Sequence, residues 1–207
     1  MSVADISNGI LPRMSRWEPD ALGRLQAAAI ELYAEHGYEQ TTVAEIAARA
    51  GLTERTYFRH FADKREVLFH GSEMLQEALV TALEEAPAGE SPLDAIGYGL
   101  RRLGPFFDER RPQSLRRHAI IRSSHELQER EMLKRSSLVA ALTPVLERRG
   151  VEPDVARLAA ESGISVFHLA YESWVADQRG RGYAEHVDET LASLRALAAA
   201  PAAASLR

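Results

Sequence analysis

Apolar residues recur every three or four positions along most of this 207-residue chain, which is the period of a helix with one buried face. No segment alternates apolar and polar residues as a half-buried strand would. The pattern therefore predicts an all-α fold of about nine helices. We expect them at about residues 20–36, 43–50, 54–61, 63–86, 92–108, 112–124, 125–149, 153–177 and 184–199.

Two short helices between residues 42 and 61 have clear predicted boundaries. Thr42 followed by Glu45 is a capping box, in which the hydroxyl accepts from a free backbone N–H and the carboxylate reaches back. Gly51 can adopt a positive φ, and Thr53 then supplies a second N-cap hydroxyl. The sequence therefore predicts a helix, a tight turn and a second helix.

The periodicity also suggests two domains with loose ends. Residues 16–65 contain the two short helices and are expected to form an N-terminal three-helix domain, whereas residues 66–200 form a larger helical domain. Residues 1–15 and 201–207 show no apolar periodicity, so we expect a disordered arm and a disordered tail.

Composition narrows the possible functions. The chain is 45% hydrophobic and carries a net charge of -5, so it can bury a sizeable core, and any nucleic-acid site on it must be local. It has no cysteine, which excludes disulfides and thiolate chemistry. No apolar run approaches the roughly 18 residues of a membrane span, and the N-terminus lacks the order of a secretion signal. We therefore expect a cytoplasmic protein without membrane contact.

Residues 49–65 are locally basic, with five basic and two acidic side chains. The basic residues are Arg49, Arg55, Arg59, Lys64 and Arg65. An ordinary solvated helix face with ion pairs would also explain this charge. The cap, turn and cap spacing favours a helix-turn-helix, whose second helix fits a DNA major groove about 12 Å wide. In this interpretation Ile46, Ala47, Leu52, Tyr57 and Phe61 pack inward, and Arg55, Thr56, Arg59 and His60 face outward.

The same stretch resembles the DNA-binding domain of the TetR family of transcriptional regulators, over about residues 20–69. The residues that carry the resemblance are Thr42, Ile46, Ala47, Gly51, Thr53, Phe58, His60, Phe61 and Lys64. It implies a DNA-binding domain followed by a divergent helical domain for ligand binding and dimerisation. It further implies a regulator, most often a repressor, that binds a palindromic operator as a homodimer and is released by a small effector.

By position, the resemblance implies a phosphate contact at Thr42 and a recognition helix capped by Thr53, with Arg55 and Thr56 at its base-facing start. Further phosphate contacts are implied for His60 and Lys64. The family often has Tyr at the position of Phe58, so a phenol-to-phosphate bond is lost here.

Arginine chemistry refines these roles. Arg55 and Arg59 lie four residues apart and share a helix face. An arginine can bind guanine in a bidentate manner, so we expect Arg55 on a base and Arg59 on a phosphate. Arg13 and Arg16 could form a minor-groove arm, although disordered solubilising residues are the simpler interpretation.

Later helices suggest the dimer and effector sites. The last two helices combine small residues with apolar ones and are expected to form a four-helix bundle with a second copy; an intrasubunit core is the alternative. Several aromatic and polar side chains suit the wall of a small-molecule cavity: Phe107, Arg122, Phe167, His168 and Tyr171. The alternative is that they are ordinary core or surface residues. Residues 125–150 are similar to the C-terminal domains of actinobacterial regulators thought to sense acyl-CoA-like molecules, which makes Arg122 the candidate anchor.

A helical enzyme and an architectural DNA-binding protein are the alternative function classes. A helical enzyme is disfavoured because GxGxxG, P-loop, HExxH, GxSxG and di-iron Glu-x-x-His motifs are all missing from the sequence. No cofactor or metal is expected, because His168 and Glu172 form a pair without a third ligand. The other class is an architectural DNA-binding protein without a ligand, which would bind DNA irrespective of sequence and small molecules.

Overall fold

The computed structural model describes residues 21–199, and every regular element in that range is a helix. This confirms the all-α prediction. The helices are α1 (Ala21–His36), α2 (Val43–Arg49), α3 (Glu54–His60), α4 (Glu66–Phe69), α5 (Ser72–Glu84), α6 (Pro92–Arg102), α7 (Gly104–Glu109), α8 (Arg111–Ser123), α9 (His125–Arg148), α10 (Pro153–Ala176) and α11 (Tyr183–Ala199). The predicted arm, with Arg13 and Arg16, and the predicted tail lie outside the described residues.

Two of the predicted helices are each divided, which explains why eleven helices occupy the described residues. The expected helix over 63–86 was wrong as a single element, because it is interrupted at His70 and Gly71 between α4 and α5. Gly71 has φ +90°, which a right-handed helix cannot contain. The expected helix over 92–108 is likewise interrupted, at Leu103 between α6 and α7.

The internal contacts divide the chain into two units. The first unit comprises the residues up to Ala78 together with Arg110–Ser137. In it α1 packs against α2, α4 and α8. Its core is apolar and aromatic and includes Leu25, Ala29, Leu32, Tyr33, Ile46, Tyr57, Phe61, Leu68, Ile121 and Leu127. The functional boundary at residue 65 stays a prediction.

The second unit comprises Leu79–Glu109 and the residues from Leu138 onward, so α5 and α9 each contribute residues to both units. In it α10 packs against α11 and α6. The helices approach closely at Gly163, where an added Cβ would lie 2.6 Å from Ile96 Cγ2. The absence of a side chain at Gly163 therefore allows α10 and α6 to meet.

Candidate nucleic-acid interface

Helix α2 begins where the sequence predicts, because Thr42 and Glu45 form the expected capping box. The Glu45 N–H donates to Thr42 Oγ1 at 3.2 Å, and the Thr42 N–H donates to Glu45 Oε2 at 2.7 Å. Hydrogen bonds from the Thr42 backbone and hydroxyl hold the pKa of Glu45 below its usual range. Thr42 itself is exposed at the first turn of α2. Its contact with a phosphate stays a prediction.

The connection from α2 to α3 is short and closed by its own hydrogen bonds. Gly51 has φ +67°, a conformation that favours glycine. The Leu52 N–H donates to Ala47 O at 2.8 Å, which returns the chain toward α2. Thr53 then caps α3, accepting from the Thr56 N–H at 3.2 Å. The predicted cap, turn and cap arrangement is confirmed.

Aromatic residues hold α3 against the rest of the first unit. Tyr57 and Phe61 are buried, with ring centroids 5.0 Å apart. The Tyr57 hydroxyl donates to Asp63 O at 3.3 Å, and the Tyr33 hydroxyl donates to Lys64 O at 2.6 Å. Burial raises the pKa of both tyrosines, so both hydroxyls remain donors at neutral pH. These contacts fix how α3 is presented to solvent.

The opposite face of α3 is exposed and carries two uncommitted cations. Arg55, Phe58 and Arg59 are all exposed. Within residues 21–199, neither guanidinium has a hydrogen bond or an ion pair, so both are available to an external ligand. Thr56 is half-buried and lies 3.1 Å from Thr53, oxygen to oxygen. The structure therefore brings together Thr53, Arg55, Thr56 and Arg59 at one surface.

The remaining basic residues of 49–65 are engaged within the protein. Arg49 donates to Glu35 at 2.9 Å and lowers the pKa of that carboxyl. Arg65 donates to Asp63 at 2.6 Å and, through this bond first, lowers the pKa of Asp63. The free positive charge of the interface is thus smaller than the sequence suggested, because Glu35, the partner of Arg49, lies outside the stretch whose charge was counted.

Lys64 braces the segment that precedes α2. Its ammonium donates to Tyr38 O at 3.0 Å and to Glu39 O and Thr41 O at 3.4 Å each. It also lies 4.1 Å from the centroid of the Tyr38 ring, in a cation–π arrangement. The structure therefore gives Lys64 an internal role that the sequence did not reveal. Its contact with a phosphate stays a prediction.

His60 is half-buried rather than turned fully outward. Its Nε2 is shielded from solvent and has no hydrogen-bond partner among the described residues. The side chain borders a cavity of about 320 Å³ that also includes His70. Burial, followed by the charge of His60, lowers the pKa of His70. The protonation of His70 is therefore sensitive to the neighbouring imidazole at the C-terminal end of α3.

Four of the five predicted effector residues belong to the second unit. Phe107 and Tyr171 are buried with ring centroids 5.5 Å apart, and Phe167 lies 6.1 Å from Phe107. His168 pairs with Glu172 at 3.7 Å, as a structural contact between neighbouring turns of α10. The three aromatic residues form a packed cluster together with Trp174 and Tyr183. Contact of any of these four residues with an effector stays a prediction.

Arg122, the fifth predicted effector residue, lies on α8 in the first unit and is exposed. Its role as an anchor for a charged effector group stays a prediction.

Asp108 supports the aromatic cluster and was missed by sequence reasoning. Its Oδ1 accepts from Trp174 Nε1 at 3.0 Å and from the Tyr183 N–H at 2.9 Å. The partners lie 66 and 75 positions away in sequence, so no local signal could have identified the contact. The Tyr183 hydroxyl is fully buried and has no hydrogen-bond partner within the described range. A polar group inside this cluster is therefore left unsatisfied.

Helices α10 and α11 expose several large apolar side chains. On α10, Val155, Leu158 and Leu169 are each about half exposed or more, and on α11 Leu197 is 75% exposed. The three residues of α10 are spaced by three and eleven positions, so they lie along one face. This surface has the composition expected of a contact between subunits.

Within residues 21–199, no three histidine, aspartate or glutamate side chains converge as metal ligands would. In the same range, every helix is too short or too polar to cross a membrane.

Comparison with known proteins supports the interpretation of α2 and α3. Residues 25–70 match the family described as bacterial regulatory proteins, tetR family. The chain is 43% identical over 93 residues to the HTH-type transcriptional regulator TcmR of Streptomyces glaucescens. That alignment covers 45% of this chain and 40% of TcmR, so the match spans less than half of the relative.

Similarity of fold extends over most of the chain. The fatty acid degradation regulator FadR of Bacillus halodurans has a TM-score of 0.58 at 17% identity, covering 87% of this chain and 96% of FadR. FadR of Thermus thermophilus, described as a TetR family transcriptional repressor in complex with lauroyl-CoA, has a TM-score of 0.50 at 22% identity. This second match covers 90% of this chain and 100% of that one. At these identities the likeness demonstrates the fold alone.

Proposed function

We propose that this chain, whose residues 25–70 match the tetR family of bacterial regulatory proteins, is a transcriptional regulator that binds a duplex operator through α3. One observation carries the proposal: Arg55 and Arg59 are exposed, and have no partner among residues 21–199, on a helix whose other face is packed into the core. A rigid helix with free guanidinium groups suits the major groove.

The regulator acts as a homodimer. A seven-residue helix offers few contacts, so two copies are needed to read half-sites about 34–36 Å apart. The exposed apolar face of α10, which includes Leu158, supplies the subunit contact together with α11. A two-fold dimer implies a palindromic operator, because each half-site meets the same side chains.

The effector is a small apolar or amphipathic molecule of the acyl-CoA type that binds in the second unit. Support comes from the aromatic residues Phe107, Phe167 and Tyr171, and from the Thermus FadR, which is described as bound to lauroyl-CoA. The effector favours a dimer whose α3 helices no longer match successive grooves, and the operator is released. Coupling is reciprocal, so operator DNA weakens effector binding by the same factor, typically about 5- to 150-fold.

Operator binding tests the DNA-binding part. Fluorescence anisotropy would compare the native chain with Arg55→Ala on the operator found by footprinting the promoter beside its own gene. We expect a loss of about 1–3 kcal/mol and relaxed preference at one base position, because a bidentate contact to guanine disappears. Arg116→Ala removes an exposed cation from α8 and serves as the matched control. Uniform loss over all operator variants would show that Arg55 contacts only backbone.

The same assay separates the rival functions. An architectural protein would bind unrelated DNA as tightly as the promoter, and a helical enzyme would show no footprint. Lauroyl-CoA serves as the effector probe, with free CoA as the control. If lauroyl-CoA binds the native chain and operator DNA leaves its affinity unchanged, the proposed coupling is wrong.

A further inference from the structure

Phe58 is a large apolar side chain on the solvent face of α3. It is 54% exposed, and within residues 21–199 no other phenylalanine, tyrosine or tryptophan is exposed to this degree. Its ring lies nearly perpendicular to the buried Tyr57 ring, with centroids 5.7 Å apart. This contact orients the Phe58 ring without covering it. An exposed apolar residue is common on proteins, so the argument depends on its neighbours.

Those neighbours are the two uncommitted cations. Arg55 precedes Phe58 by three positions and Arg59 follows it, so the three side chains share the exposed part of α3. The surface thus presents an aromatic ring beside two guanidinium groups. Its charge complements a polyanion, while the ring itself gains nothing from a hydrated phosphate.

The major groove offers one apolar group to such a ring. Among the base edges exposed there, thymine alone carries a C5-methyl group, and phenylalanine is a suitable contact for it. Phe58 lacks a hydroxyl, so it cannot form a hydrogen bond to a base or a phosphate. Any contribution to operator affinity must come from burying apolar surface.

Resting on the proposed function, we propose that Phe58 reads one thymine in each half-site by packing its ring on the C5-methyl group. The rise from Arg55 to Phe58 is about 4.5 Å along the helix, and base pairs are about 3.4 Å apart. The thymine therefore lies one or two base steps from the base that Arg55 contacts. Burial of one methyl group corresponds to about fourfold in affinity, or about fifteenfold for two half-sites.

Deoxyuridine substitution tests the proposal, because it removes the methyl group and keeps every hydrogen-bonding group of thymine. Each thymine of the footprinted operator would be replaced symmetrically in both half-sites, and affinity measured by fluorescence anisotropy. We expect one symmetric pair to weaken binding of the native chain about fifteenfold. The same pair should change binding of Phe58→Ala less than twofold, because the ring that senses the methyl group is gone.

Two further variants control the result. Phe58→Leu keeps an apolar contact and should retain part of the discrimination. Leu133→Ala removes an exposed apolar side chain from α9 and should retain all of it. Thermal unfolding checks that each variant is folded.

Two results would overturn the inference. Either no deoxyuridine substitution weakens operator binding by the native chain, or the substitution weakens binding of Phe58→Ala as much as it weakens binding of the native chain. A native chain without any sequence-specific footprint overturns the proposed function, and the inference with it.

Discussion

Lys64→Met tests whether the ammonium of Lys64 stabilises the first unit, since it removes the charge and keeps the length of the side chain. The bond to Tyr38 O at 3.0 Å is a well-formed hydrogen bond to a charged donor, for which about 1.5–3 kcal/mol is typical. The bonds to Glu39 O and Thr41 O at 3.4 Å are weaker. Cation–π attraction to the Tyr38 ring adds about 0.5–1 kcal/mol. After desolvation of the ammonium, we expect the free energy of unfolding to fall by about 2 kcal/mol.

Urea unfolding and the salt dependence of operator binding together decide the role of Lys64. Each phosphate contact contributes about 0.9 to the slope of log K against log salt, so a contact in both half-sites contributes about 1.8. Lys64→Met should lower stability, and an unchanged slope would show that the phosphate contact implied for Lys64 is absent. Arg59→Met is the matched control and should lower the slope without lowering stability. A Lys64→Met protein with native stability and a slope lowered by about 1.8 would refute the bracing role and support the phosphate contact.

Three other perturbations test the packing and the protonation of the fold. Burial and the neighbouring His60 lower the pKa of His70, so the folded state binds fewer protons than the unfolded state, and stability falls as pH drops below about 6.5. His70→Gln should reduce the difference between the free energies of unfolding measured with urea at about pH 7.5 and about pH 5. Asp108→Ala should lower the free energy of unfolding by about 2 kcal/mol and shift the fluorescence of Trp174 to the red, because the indole loses its hydrogen-bond acceptor. An unshifted spectrum would show that the carboxylate does not position the indole. Gly163→Ala should lower the free energy of unfolding, measured with urea, by about 1–3 kcal/mol despite the helix preference of alanine, because the new methyl group meets Ile96. Combined with Ile96→Ala, the loss should be smaller than the sum of the two single losses. Strict additivity would contradict the close approach of the two helices.

Helix starts were predictable because they depend on residues three positions apart. Thr42 with Glu45, and Thr53 with Thr56, form the hydrogen bonds expected of their spacing. The division between α4 and α5 was missed because the apolar period continues across Gly71 in the correct phase. A glycine within such a pattern is usually tolerated in a helix, so the sequence does not distinguish the two outcomes.

The exposed arginines of α3 were also predictable from short sequence spacing, whereas the basic residues that form ion pairs within the protein were not. The exposure of Arg55 and Arg59 follows from the helical period once Tyr57 is placed in the core. The pairing of Arg49 with Glu35 joins different helices across 14 positions, and no short pattern encodes it. Charge counted along a sequence therefore overestimates the charge available to a ligand.

Helix α3 uses different residues for packing in the core and for contact with the solvent. Tyr57 and Phe61 anchor it, and Arg55, Phe58 and Arg59 face solvent. Because substitutions at the three solvent-facing positions leave the anchoring contacts intact, a duplicated copy of the gene could acquire a different target sequence through very few mutations. The same separation would let an engineer redirect the protein to a chosen promoter while leaving its stability largely unchanged.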